Sequence, residues 1–235
     1  MPSSVMRASA PERRRSESRA QTRRRLLEVG RQAFARKGHA GTNLKEDILV
    51  PAGVSVGSFY HQFRDKTDLF LEILRAHSRT FRAMMREAHT QTGAVDPPVV
   101  ARHSFATVFG VAEDNDDLFR IMARERESHD ARVRAYLRRN AREWIDSLSA
   151  DYRRLGLIAP DDTATAQLVA ELVSALTAGT ILMYLDHPPA ERRRLRPRLI
   201  DGLVQFTLGG VPALVGHTAR PPAAQPKTRT RKGAH

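Results

Sequence analysis

Ala52-Gly53-Val54-Ser55-Val56-Gly57-Ser58-Phe59-Tyr60-His61-Gln62-Phe63 reads as a turn followed by a very short helix. Gly53 can take the positive φ that a tight turn requires, and Ser55 can cap the first amides of a new helix. Phe59 and Phe63 lie four residues apart, so both fall on one helical face and can fasten it to a core. The remaining face holds small or hydrogen-bonding groups. Gly57 weakens a helix by roughly 1 kcal/mol relative to Ala, and close approach to another molecule explains why it is there. An apolar back with a front free of bulk suits a helix that enters a DNA major groove. Val56 offers a methyl contact to thymine, Ser58 a hydroxyl to a base edge, and the amides after Ser55 a site for phosphate.

Outward from this stretch, helical periodicity is nearly everywhere and strand-like alternation is scarce, which predicts an all-α fold. Leu26, Leu27, Gly30, Ala33 and Phe34 form one stripe that stops at Gly38. A short helix is expected around Leu44 to Val50, then the Gly53 turn and the Ser55–Phe63 helix. A longer helix opens at Asp65 or Lys66 and runs to about Ala88, followed by a loop from Thr90 to Pro98. Further helices are expected over Val99–Val111, from Asp116 or Asp117 to about Glu127, and over Asp130–Leu155. The last two span about 161–185 and 191–208. The division predicted is a basic disordered arm (1–20), a helix-turn-helix unit (21–67), a larger helical region (68–210) and a basic disordered tail (211–235).

The chain has 235 residues, a formal net charge of +13 and no Cys, which excludes disulfides and thiolate chemistry. The charge sits at the ends. Residues 1–25 hold eight Arg against Glu12 and Glu17, and residues 218–235 hold five basic residues and no acid. Such ends suit contacts with phosphates. The charged N-terminus lacks the apolar core of a secretory signal, so a cytoplasmic protein is expected. Residues 166–185 approach the length of a membrane span, but Glu171, Gln167, Ser174, Thr177 and Thr180 interrupt them, and no membrane partner is expected. A helix apolar all round needs neighbours on every side. This helix and the last one, where Leu195, Leu199, Leu203 and Phe206 form a stripe, carry surplus apolar faces that imply homodimerisation through a helix bundle.

Residues 21–70 resemble the DNA-binding unit of the TetR family of bacterial transcription regulators, on Ala52-Gly53-Val54-Ser55, Gly57, Phe59-Tyr60, Phe63, Lys66 and Leu69-Phe70. The resemblance implies an N-terminal three-helix helix-turn-helix unit and a larger helical ligand-binding and dimerisation domain. It also implies that Tyr60, His61, Gln62 and Lys66 face the phosphate backbone, as do Thr42 and Lys45 at the start of the preceding helix. Such contacts orient the protein, whereas base contacts select sequence. Two departures stand out: one residue more than the family spacing between Thr42 and Ile48, and Pro51 where the family continues its helix. Pro disfavours helical geometry at Val50, so the short helix is expected to be displaced or to end early.

The family's C-terminal domain implies a small effector that changes the spacing of two DNA-binding heads, releasing or promoting DNA binding. Aromatic and sulfur-bearing residues are its candidate lining: Phe81, Met84, Phe105, Phe109, Met122, Trp144, Tyr152 and Met183. Leu118 to Arg126, with Arg134-Ala135 downstream, is similar to a helix of family regulators of fatty-acid synthesis and desaturation, which respond to acyl thioesters. Arg120, Arg124 or Arg126 would then meet an acyl-CoA-like effector's phosphates. The reading is a sequence-specific transcriptional regulator, a repressor, that binds a pseudo-palindromic double-stranded operator as a homodimer. It needs no cofactor.

Three other readings compete. A non-regulatory helical protein with basic ends would bind nucleic acid or anionic membrane without sequence choice. Gly53-Val54-Ser55-Val56-Gly57 also spells the G-x-S-x-G elbow of serine hydrolases, which would make Ser55 a nucleophile with His129, His187 or His217 as base. That motif needs a strand before it, and Pro51 cuts Ile48-Leu49-Val50. Glu125, Glu127, His129 and Asp130 suggest a metal cluster only if their helix continues past Ser128, and a solvated charged turn accounts for them. No metal and no enzymatic activity are expected.

Overall fold

The computed structural model describes residues 10–91 and 96–218, and among these every regular element is helical. In order they are α1 (Ala10–Gly41), a π-helical segment (Leu44–Leu49) continuing into α2 (Val50–Ala52), α3 (Val56–Tyr60), α4 (Lys66–Gln91), α5 (Pro97–Asp114) and α6 (Asp116–Arg124). A 3-10 turn (Glu125–Glu127), α7 (Ala131–Arg154), α8 (Thr163–Leu185) and α9 (Pro189–Thr218) follow. α1 packs on α4 and α6, α7 on α8, and α9 closes over α5 and α8.

The expected start and stop signals mostly sit where the chain needs them. Asp130 and Asp162 cap α7 and α8 by accepting the Arg132 and Thr165 amides. α1 breaks at Gly38, which lies at φ 73° and ψ 174°. Glu125 and Arg124 lie where a side chain at position 38 would go, so the bend also lets the 3-10 turn close onto α1.

α3 ends at Tyr60 instead of Phe63, α5 spans Pro97–Asp114 instead of 99–111, and three further boundaries differ from the sequence expectation. Residues 10–20, expected as a disordered arm, are helical. Ala10, Glu12, the arginines and Ala20 are good helix formers, and Gln62 fastens this end by donating to the Arg19 carbonyl. α4 runs on to Gln91, taking over the start of the expected loop. α9 extends to Thr218, so 211–218 are also helical rather than tail. The first nine residues, 92–95 and the basic stretch 219–235 lie outside the described residues.

The core has three parts. The first joins Leu26, Ala33 and Phe34 of α1 with Ile48, Leu49, Phe59, Phe63, Leu69, Phe70 and Leu74, and reaches Leu118 and Ile121 of α6 and Val133 and Tyr136 of α7. The second gathers Phe105, Phe109, Ile181, Tyr184, Ile200 and Leu203 between α5, α8 and α9. The third holds Tyr152, Ile158, Ala166, Val169 and Ala170 where α7 meets α8. Because α4, α6 and α7 contribute to the first part, the N-terminal unit shares its core with the rest of the chain.

Within one chain α8 is not buried on every side. Thr165, Ala166, Val169, Ala170, Ile181, Tyr184 and Leu185 are covered, but Leu168, Leu172, Ala175, Gly179 and Met183 are exposed. Their spacing places them in one stripe along the helix. By length and composition α8 could cross a membrane, the one such helix among the described residues.

Candidate nucleic-acid interface

Gly53 adopts the left-handed conformation, φ 60° and ψ 37°, and the amides of Gly53 and Val54 return to the carbonyls of Val50 and Leu49, each at 3.0 Å. That closes the turn between α2 and α3. Ser55 then caps α3. Its Oγ accepts the Ser58 amide at 3.2 Å and its hydroxyl donates to Ser58 Oγ at 2.9 Å. Phe59 and Phe63 are buried with ring centroids 5.7 Å apart. On the front, Ser55, Val56, Gly57, Ser58, Tyr60 and His61 are exposed, and nothing of the described chain lies within 4 Å of where a Gly57 side chain would begin. The glycine is therefore not required by packing inside this chain.

The two departures before the turn are resolved together. Leu44–Leu49 is wound as a π-helix, in which each turn takes up more residues than in an α-helix. The Val50 amide accordingly reaches the Lys45 carbonyl, five residues back. Val50 is helical, with φ −63° and ψ −51°, despite preceding Pro51. The expectation of an early end is thus corrected: the extra residue is absorbed by widening. A Pro ring crowds the carbonyl four residues before it, and a widened turn just ahead of Pro51 is where a helix accommodates that.

Thr42 is also corrected. It is buried, and its hydroxyl donates to the Gly38 carbonyl at 2.6 Å, so it is spent inside the fold. The cap of the π-helical segment is Asn43, whose Oδ1 accepts the amides of Lys45 and Glu46 at 2.9 and 3.1 Å. Asn caps as well as Thr, so the sequence signal existed one residue later. Lys45 is exposed at the segment's start.

Lys66 is half-buried, and its ammonium donates to the Thr42 carbonyl at 2.7 Å. Burial holds its pKa below the usual lysine range, partly offset by Asp130, Asp47 and Glu125. It ties the start of α4 to the end of α1 and keeps further protons for an outside partner. Gln62 likewise points back to Arg19 at 3.2 Å, so its amide group positions α1 instead of facing outward. Thr42, Lys45, Val56, Tyr60 and Lys66 nevertheless come together, lining one open groove of about 440 Å³ between the π-helical segment and α3. Ser55, Gly57, Ser58 and His61 lie on α3 and its ends, outside that lining.

Two arginines that composition alone could not assign support α3. Arg23 lies over the Phe63 ring at 4.6 Å, donates to the Gln62 carbonyl at 3.3 Å and pairs with Glu72 at 3.4 Å. Arg25 lies against the Gly53 turn.

The hydrolase reading fails on local structure. The residues before Gly53 are helical where the elbow needs a strand, and Ser55 is a helix cap. Glu125 and Asp130 of the imagined metal cluster are engaged with the His39 amide and with Thr67.

Residues 26–73 match the sequence profile of bacterial regulatory proteins of the tetR family. The matched stretch is the helix-turn-helix unit, from α1 to the first turns of α4. Solved structures share the fold over most of their length. A fatty acid degradation regulator, FadR, from Bacillus halodurans superposes with a TM-score of 0.62 at 15% identity, covering 80% of this chain and 95% of that one. A TerR/AcrR-family transcriptional regulator from Aquifex aeolicus VF5 gives 0.59 at 17%, covering 82% and 99%. A transcriptional regulator from Rhodococcus sp. Rha1 gives 0.60 at 21%, covering 83% and 95%. The helix-turn-helix unit is thus similar in sequence to that of bacterial regulatory proteins, and the chain as a whole shares the fold of solved regulators.

The proposed effector-lining residues do not share one cavity. Phe81, Phe105, Phe109 and Trp144 belong to the second core part, where Phe81 lies 5.1 Å from Trp144. Tyr152 is in the third and Met122 borders the first. Met84 and Met183 are exposed. Arg124 donates to the Phe34 carbonyl at 2.8 Å, and Arg120 is held by Asp116, Asp186 and the Leu185 carbonyl. These two arginines fasten α6, which corrects their expected role toward phosphates.

Proposed function

We propose that this regulator is a homodimeric, cytoplasmic repressor whose two α3 helices enter successive major grooves of a pseudo-palindromic operator. The observation that carries this is the open front of α3: exposed Val56, Gly57 and Ser58 on a helix held from behind by Phe59 and Phe63. Val56 and Ser58 read base edges; Tyr60, His61 and Lys45 take phosphates, with Lys66 and the Ser55 amides beside them. Helical residues 17–25 extend the basic surface next to α3. The exposed stripe of α8, with Phe206 of α9, is the surface on which a second copy packs.

An effector in the larger region changes DNA binding by favouring one placement of the heads. A chain of polar contacts connects the two ends. Arg31 of α1 holds Asp117 of α6 with two bonds of 2.6 Å. Glu125 accepts the His39 amide at 2.9 Å, His39 Nε2 meets Thr67 Oγ1 at 2.9 Å, and Thr67 donates to Asp130 at 2.8 Å. Thr67 gives its one proton to Asp130, so His39 Nε2 is the donor in the preceding contact. Burial lowers the His39 pKa and keeps the ring neutral. An acyl thioester is the effector class favoured by the Leu118–Arg126 resemblance and by the fatty acid degradation regulator among the similar folds.

A competition gel tests the reading. A duplex selected from random sequence should survive a large excess of random duplex when bound to the full chain. Equal loss to random and selected competitors would leave only non-specific binding through basic ends.

A further inference from the structure

α4 and α7 form a second concavity, separate from the groove at α3. Asp68, Leu71 and Arg75 fall on one face of α4, and Arg132, Ala135, Tyr136 and Arg139 on one face of α7. With Arg64 from the preceding loop they enclose about 260 Å³. Four guanidinium groups therefore line this cleft against one carboxylate, Asp68, and that carboxylate accepts the Arg64 amide at 3.2 Å.

The counter-charges outside the lining are unevenly placed. Arg132 pairs with Asp65 at 3.0 Å and lies 3.8 Å from Asp130, and Arg139 lies 3.6 Å from Glu143. Arg64 and Arg75 have no carboxylate partner among the described residues. Arg75 instead stands over the Tyr136 ring at 5.9 Å. Leu71 and Tyr136 are buried, and the Tyr136 hydroxyl is engaged with Ser78 at 2.9 Å, which leaves the ring to the cleft. Gathered like charges repel one another, and an anion in their midst relieves that. The guanidinium fork matches phosphate in shape and donor count.

We propose that the α4–α7 cleft binds a small phosphate ester, with its phosphate among Arg64, Arg75, Arg132 and Arg139 and its organic part on Leu71 and Tyr136. α4 begins just after the recognition helix and α7 belongs to the larger region. An occupant therefore bridges the two and biases the placement of the head. That consequence rests on the DNA-binding reading above; occupancy of the cleft does not.

Calorimetry with the full chain at fixed ionic strength tests it, with phenyl phosphate and inorganic phosphate as probes and no DNA present. Phenyl phosphate should bind, and about tenfold tighter than inorganic phosphate, because only it reaches the apolar floor. The double variant Arg75→Gln/Arg139→Gln should lose about tenfold or more of that affinity while leaving duplex affinity unchanged. Arg64→Gln, on the loop, gives the same direction if the double variant misfolds. Absent binding of phenyl phosphate, or equal binding by the variants, overturns the proposal. So does a fall in duplex affinity and salt slope in the variants without the probe, which would assign the cleft to the operator backbone. Failure to select any duplex would overturn the DNA reading alone.

Discussion

The front of α3 and the outer stripe of α8 are both open to solvent in a single chain, yet their chemistry differs. The first presents Val56, Gly57 and Ser58 beside Tyr60 and Lys45; the second presents Leu168, Leu172, Ala175, Gly179 and Met183. An exposed apolar stripe on a helix is covered by another apolar surface, whereas a small polar front flanked by cations suits a hydrated polyanion. Exposure alone thus says little, and the kind of group exposed decides the partner. The backs differ too. α3 has five residues and depends on two phenyl rings, while α8 has 23 residues and packs along most of one side.

Breaking the apolar stripe has the largest expected effect. Leu172→Glu with Phe206→Glu should convert a dimer into monomers in sedimentation velocity, and weaken operator binding by roughly 10²–10⁴ because two linked heads become one. An unchanged dimer would remove α8 and α9 from the interface. Next is the back of α3: Phe59→Ala should cost about 3–5 kcal/mol in chemical denaturation. On the front, Val56→Ala or Ser58→Ala should leave stability within about 0.5 kcal/mol and alter base preference by about 1–3 kcal/mol at one position per half-site.

Two smaller effects sharpen the contrast between buried and exposed groups. His77 is buried between Phe81 and Phe119, and burial, then Arg31, pushes its pKa from 6.5 down to about 4, with Asp117 opposing. Between those values the unfolded chain takes up a proton that the folded chain refuses. Stability from this group is therefore complete above pH 6.5 and declines as pH falls toward 4; His77→Gln should flatten that part of a Tm–pH curve. Gly57→Ala should raise stability by up to about 1 kcal/mol while lowering operator affinity, since the added methyl meets nothing in the chain. A gain in both would mean that the α3 front stays clear of DNA.

The N-terminal unit was legible in the sequence because its features are local. A positive-φ glycine, a capping serine and two phenylalanines four apart fix a turn and a helix within twelve residues. The register before that turn was not legible, since the choice between ending a helix at Pro51 and widening it depends on how Ile48 and Leu49 reach the core. The hydroxyl of Thr42 was misread for a similar reason: the break at Gly38 places a carbonyl beside it, which no spacing rule reveals. In the larger region the helices were readable but the effector lining was not. Buried aromatics mark cavities and solid core alike, and Phe109 and Tyr152 sit in different core parts. The α4–α7 cleft is not legible in the sequence because its arginines are far apart along the chain and meet only when the two helices pack.

Selection of binding sites from a random duplex pool, run side by side with the full chain and with Val56→Ala/Ser58→Ala, tests the central claim most directly. The account expects the native chain to enrich two inverted half-sites about one helical turn apart, or a multiple of that. The variant should enrich the same spacing with altered bases at matching positions in both halves. Identical base preferences in the two selections, or no enriched sequence from the native chain, would contradict it.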